Sequence, residues 1–170
     1  MKWFAISGSW RKQTPELERD LLEAVDGIIR SGDGIVSGGA LGVDYIATDR
    51  MLQTQNWQNR LKIIIPTPLG IYKKHYFRRA DEGVIMHEQA ELLISQLAKI
   101  QGGGALVEMN YKVLNLRTYY ARNTEIVKAC DELLAFQVDD SGGVQDTIDK
   151  AVKFGKKVKL RKYYSKERND

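Results

Sequence analysis

Cysteine is nearly absent from this sequence of 170 residues. The one example, Cys130, has no second thiol to pair with, so a disulfide scaffold is excluded and a buried structural thiol is the ordinary reading. Histidine is almost as scarce, and His75, His87 and a lone thiol do not supply the donor sets that zinc and related metals favour. Neither a metal nor another cofactor is expected. No stretch approaches the run of about eighteen apolar residues that a membrane span needs. Lys2 is followed by Trp3-Phe4-Ala5-Ile6, but Gly8, Ser9 and Arg11 arrive too soon for the apolar region of a secretory leader. A cytoplasmic protein without a membrane partner is expected. Also missing are a Gly-x-x-x-x-Gly-Lys-Ser/Thr string and a Gly-x-Gly after the first apolar run, which removes support for P-loop chemistry and for NAD binding.

What is present is an ordinary globular composition, 43% hydrophobic and 28% charged, in a chain long enough for one core and too short for two full-sized domains. Residues 1–162 read as a single domain in which 66–117 forms a helical or loop elaboration. Residues 163–170 read as a basic tail. The net charge of +4 favours an anionic partner, since a basic surface attracts nucleotides and nucleic acid through space. Much of the excess lies in Lys156, Lys157, Lys159, Arg161, Lys162, Lys166 and Arg168, with Tyr163 and Tyr164 between them. This run is either a solvated terminus or a track for a phosphate backbone.

The apolar run Trp3–Ile6 predicts a buried strand ending at Gly8. Thr14 and Pro15 predict an N-cap and first helical position, followed by Leu17, Leu21, Leu22, Val25, Ile28 and Ile29 on one helical face. Strands are predicted at 34–37, 61–65, 132–137 and 158–160. Helices are predicted from Val43, over a stretch marked by Val84 to Ile100, from Thr118 to Ala129, and up to about Phe154. The polar, aromatic segment Tyr72–Arg79 is expected as a loop or short helix over the site, and Gly102-Gly103-Gly104 as a hinge. Alternating strands and helices specify an α/β, Rossmann-like three-layer domain with an open, mostly parallel sheet.

In such a sheet ligands lie beyond the carboxyl ends of the strands. Three loops fall there: Ser7-Gly8-Ser9-Trp10-Arg11, Ser37-Gly38-Gly39-Ala40-Leu41-Gly42-Val43-Asp44, and Ser141-Gly142-Gly143. Their glycines permit backbone N–H groups to approach a phosphate at a helix start. Asp44 either bonds a ribose hydroxyl or caps its own helix. Arg122 either grips a phosphate or pairs with Glu125.

The string Ser37-Gly38-Gly39-Ala40-Leu41-Gly42-Val43-Asp44 resembles the Ser-Gly-Gly-Ala-x-Gly-x-Asp motif of the DprA/Smf and LOG superfamily, also called SLOG. Arg122-Asn123-Thr124-Glu125-Ile126-Val127 is similar to its Arg-Asn-x-x-Ile-Val helix. The resemblance implies a cleft binding nucleotide or phosphate, formed by Gly8, Ser9, Gly38, Gly39, Gly42, Asp44, Arg122, Asn123, Ser141, Gly142 and Gly143, with Arg11 as a nearby cation. It also implies a homodimer. LOG-type phosphoribohydrolases carry a glutamate in a Pro-Gly-Gly-x-Gly-Thr-x-x-Glu loop. Here Thr147 falls at that place, leaving Arg122 and Asp146 as catalytic candidates. The expected function is therefore binding or sensing of a nucleotide or related phosphorylated molecule. The alternative is DprA-like binding and processing of single-stranded DNA, and a LOG-like nucleoside monophosphate hydrolase ranks below both.

Overall fold

The computed structural model describes residues 1–165. Trp3–Gly8 forms β1 and Pro15–Arg30 forms α1. The Thr14 hydroxyl accepts from Leu17 N at 3.1 Å, Pro15 opens the helix, and Glu16 and Glu18 sit at its positive end, so each local signal for a helix start is used. The predicted apolar stripe buries Leu17, Leu21, Val25 and Ile28. Next come β2 (Gly34–Ser37), α2 (Val43–Leu52), a single 3-10 turn at Trp57–Asn59 and β3 (Leu61–Ile65). The middle of the chain contributes α3 (Leu69–Asp81), α4 (His87–Gly102) and β4 (Leu106–Glu108), and the remainder α5 (Leu116–Lys128), β5 (Glu132–Val138), α6 (Gly142–Lys153) and β6 (Lys157–Tyr163).

All six strands are parallel, in the order β4-β3-β2-β1-β5-β6. Ile6, Ile35, Ile63 and Leu134 project to one face, where α1, α2, α3 and α4 cover them with Leu21, Met51, Tyr72 and Leu97. Ala5, Val36, Ile64 and Leu133 project to the other, beneath Ile126 and Val127 of α5 and Val144 and Ile148 of α6. The result is a three-layer Rossmann-like α/β fold. Sheet order reverses between β1 and β5, and a crevice opens at such a switch because the flanking crossovers depart to opposite sides. Among the described residues no helix is long and apolar enough to cross a membrane.

Four local expectations change. The segment Tyr72–Arg79 lies within a thirteen-residue helix, α3, whose buried side is Tyr72, Tyr76 and Ala80 at four-residue spacing. Buried tyrosines give that face its apolar surface although the segment looks polar. Gly103 is closed against Trp57, and Ala105 N reaches back to Ile100 O at 3.1 Å, so the triple glycine is a packed helix end where a hinge was expected. β4 has only three half-exposed residues and leaves no alternation to read. β6 runs on through Tyr163, whose side chain is buried and donates to Asp20 Oδ2 at 2.9 Å.

The C-terminal cations do not form an unpaired row. Lys157 and Lys159 face Glu132, Arg161 faces Asp20 and Lys162 faces Asp140, whereas Lys166 and Arg168 lie outside the described residues. Cys130 is buried, and desolvation pushes its thiol up, which keeps it protonated and unreactive.

Gly42 precedes α2 with φ 75°, and a Cβ there would sit 2.8 Å from Trp10 Cα. Gly42→Ala combines a left-handed alanine with a backbone collision. We expect it to lower the unfolding free energy by about 2 kcal/mol or more, seen as a lower urea midpoint with unchanged slope.

Candidate functional site

A cavity of about 500 Å³ opens at the reversal between β1 and β5. Ile6, Ser7, Gly8 and Trp10 come from β1 and the loop after it, Ala40 from the loop before α2 and Asp44 from its first turn, and Tyr119, Tyr120, Arg122, Asn123 and Ile126 from α5. Ser141, Gly142, Gly143, Val144 and Thr147 line the α6 side. The elaboration supplies His75, Tyr76, Arg79, Ile85, Leu114, Asn115 and Leu116, so it forms one wall of the same cavity. A mostly apolar and aromatic lining with a few converging polar groups is the usual build of a small-molecule site of this size.

Arg122 is only 8% exposed, and its guanidinium is already engaged. Nη1 donates to Gly38 O, Nε donates to Asn123 Oδ1 at 3.1 Å, and the group lies 5.5 Å from the Tyr119 ring centre. Glu125 pairs instead with Lys128, which removes the alternative partner read from the sequence. Asp44 is equally buried and does not cap α2; its Oδ2 accepts from Ala40 N at 3.3 Å and holds the glycine loop closed. Burial pushes the Asp44 carboxyl up, against the opposing pull of the Arg122 charge and the backbone N–H of Ala40.

Tyr72, Tyr76 and Tyr119 gather on the same side. Tyr72 donates to Gly39 O at 3.0 Å, and the Tyr72 and Tyr76 hydroxyls are 3.4 Å apart. Desolvation drives the phenols of Tyr76 and Tyr119 up, so both remain protonated. At the rim, burial lowers His75, with Arg78 and Arg79 adding to the effect, and the ring is neutral near pH 7.

On the α6 side Ser141 makes no side-chain cap, and the first intrahelical bond is Gln145 N to Ser141 O at 3.0 Å. The N–H groups of Gly142, Gly143 and Val144 therefore have no intrahelical acceptor and stand beside the cavity at the positive end of the helix.

Of the residues expected at the site, Gly8, Asp44, Arg122, Asn123, Ser141, Gly142 and Gly143 line one cavity. Gly38 and Gly39 stand behind it, where their carbonyls accept from Arg122 and Tyr72. Gly42 and Ser9 shape the loops: Val43 N donates to Ser9 O at 3.2 Å, and Lys12 N donates to Ser9 Oγ at 3.3 Å. Arg11 is exposed, with its guanidinium over Trp10. Asp146 does not line the cavity. It is held by Lys150 Nζ at 2.7 Å and Asn123 Nδ2 at 3.0 Å, so it supports Asn123 from behind. Tyr119 and Tyr120 were missed in the sequence, although Tyr119 lies three residues before Arg122, the spacing that places two helical side chains together.

Among the described residues no group of three His, Cys, Asp or Glu side chains is placed to hold a metal ion. No family model matches the chain, and no curated protein matches it. Its structure is similar to that of DNA processing protein A from Helicobacter pylori, described for its single-stranded DNA binding mode, with a TM-score of 0.69 and 22% identity over 94% of this chain and 66% of that one. It is also similar to TM1055, with a TM-score of 0.56 and 14% identity over 93% of this chain and 72% of that one. DprA from Streptococcus pneumoniae matches with a TM-score of 0.51 and 18% identity, and there this chain spans 58% of the other. The likeness is one of fold. It extends through almost all of this chain.

Because the folded chain holds the Asp44 proton more tightly than the unfolded chain does, the Asp44 contribution to stability falls as pH rises from about 4, the ordinary carboxylate range, through its raised value. Asp44→Asn abolishes that titration. Urea unfolding of both proteins at stepped pH should show wild type losing stability relative to the variant as pH increases. Parallel stability curves would mean that the Asp44 carboxyl titrates normally.

Proposed function

We propose that the chain is an SLOG-type binding domain that holds the phosphate of a nucleotide at the first turn of α6 and its base among Trp10, Tyr119 and Leu116. The observation that carries this reading is the cavity itself. One end offers uncapped helix N–H groups, which attract an anion without a fixed cation, and the rest is largely aromatic and aliphatic. Arg122 acts through its charge and through the loop it holds, since two of its donors are already bonded within the protein. Asp44, the carboxylate that lines the cavity, is positioned to meet a ribose hydroxyl.

A second reading, binding of single-stranded DNA, is favoured by the fold shared with DNA processing protein A and by the basic balance of the chain. In that case the cavity receives one nucleotide of a strand, and the cations Arg79 in its wall and Arg11 over Trp10 meet neighbouring phosphates.

Gly143 separates binding from folding. It lines the cavity, its φ is not positive, and a Cβ there would meet nothing within 4 Å. Gly143→Leu should therefore fold normally and fill the phosphate end. We expect AMP at about a hundred times its Kd to stabilise wild type by about 2.7 kcal/mol in a thermal-shift measurement, and Gly143→Leu to lose that gain while keeping its own Tm. Stabilisation by an oligonucleotide alone, weakening steeply with salt, would transfer the assignment to DNA. Release of free base from AMP would add a cleavage step.

A further inference from the structure

The turn between β5 and α6 contains two successive non-glycine residues in the left-handed region, Asp139 at φ 48° and Asp140 at φ 55°. Aspartate tolerates this region better than most residues, yet two in a row persist only where surrounding groups hold them. Here the holding groups come from two other parts of the chain. Asp139 N donates to Tyr163 O at 3.1 Å, Ser165 N donates to Asp139 Oδ1 at 3.0 Å, and the Ser165 hydroxyl donates to Oδ2. Lys12 Nζ reaches the same Oδ2 at 3.0 Å, and Lys162 Nζ pairs with Asp140 Oδ1 at 3.1 Å. Lys12 belongs to the loop that leaves β1 at Gly8, and both Gly8 and Trp10 line the cavity's β1 side. The residues that follow the turn are Ser141, Gly142 and Gly143, which line its α6 side.

We propose that Asp139 is a positioning residue: its carboxylate gathers the end of β6 and the β1–α1 loop onto the turn that aims the first turn of α6 into the cavity. Such a tie is needed because the helix begins without a side-chain cap and with two glycines, the residues that lose most freedom on ordering. The Asp139 carboxyl is drawn down to about 2, first by the Ser165 hydroxyl and then by the Ser165 N–H and Lys12, so it is ionised throughout the ordinary pH range. The consequence for ligand affinity rests on the nucleotide reading above, whereas the consequence for the turn does not.

Asp139→Gly separates the tie from the backbone conformation, because glycine enters the left-handed region freely but offers no carboxylate. The expected result is that backbone order parameters of Gly142, Gly143 and Val144 in the unliganded protein fall from about 0.85 toward about 0.6. AMP should then bind about tenfold more weakly, since an unorganised seat must be ordered on binding. The double variant Lys12→Ala/Ser165→Ala leaves Asp139 in place and should shift both readouts in the same direction, which also decides the matter if Asp139→Gly does not fold. Unchanged order parameters in the folded variants, or tighter AMP binding by Asp139→Gly, would show that the turn needs only its backbone geometry and would overturn the proposal. Should wild type fail to bind AMP, the order parameters still judge the tie, and the failure falls on the nucleotide reading alone.

Discussion

A guanidinium removed from water must be surrounded by acceptors, and the Arg122 side chain organises its surroundings for that reason. It rises from α5, donates to a carbonyl in the glycine loop after β2 and to its neighbour Asn123, and faces the Tyr119 ring. The Asp44 carboxylate opposes its charge from the first turn of α2. Gly38 has no side chain because the guanidinium occupies the place where one would stand. A helix on one face of the sheet, a loop at its edge and a helix on the other face are therefore tied to one buried charge.

The cavity inherits its polarity from this arrangement. Arg122 is engaged by Gly38 O and Asn123 and opposed by Asp44, so its charge is turned inward, while the uncapped first turn of α6 brings N–H groups without intrahelical acceptors to another side of the cavity. Asp146 and Lys150 support this division from the rear: Asp146 steadies Asn123, while Lys150 also donates to Tyr120 O and joins α5 to α6. The two helices that frame the site thus have a polar tie between them in addition to the apolar contact beneath.

The order of strands and helices was legible because Thr14, Pro15, the stripe from Leu17 to Ile28 and the aliphatic runs at β2, β3 and β5 each carry a local cause. The glycine loops were legible for a similar reason, since Gly39 and Gly42 adopt positive φ and a close approach is required at Gly38. What escaped the sequence depends on distant partners. Tyr72 looks polar until its hydroxyl finds Gly39 O, and Asp146 looks available for chemistry until Lys150 and Asn123 take its oxygen. β4 exists because β3 offers an edge, a fact absent from Leu106, Val107 and Glu108 themselves. The aromatic lining was hidden because its members come from the β1–α1 loop, α3 and α5, which converge only after the sheet has formed.

The tyrosine pair has a direction. Tyr72 has one proton and gives it to Gly39 O, so the contact between the two hydroxyls is made by the proton of Tyr76. The Tyr76 proton is thereby committed to its neighbour, and what its hydroxyl still offers is lone pairs. A ligand group meeting it must bring a hydrogen, such as an amino or hydroxyl group, whereas a carbonyl or phosphoryl oxygen would face an acceptor with no proton between them. With N–H groups free of intrahelical acceptors at the α6 end, and a committed phenol proton beside Arg79 at the α3 wall, the cavity presents chemically different groups at its two ends.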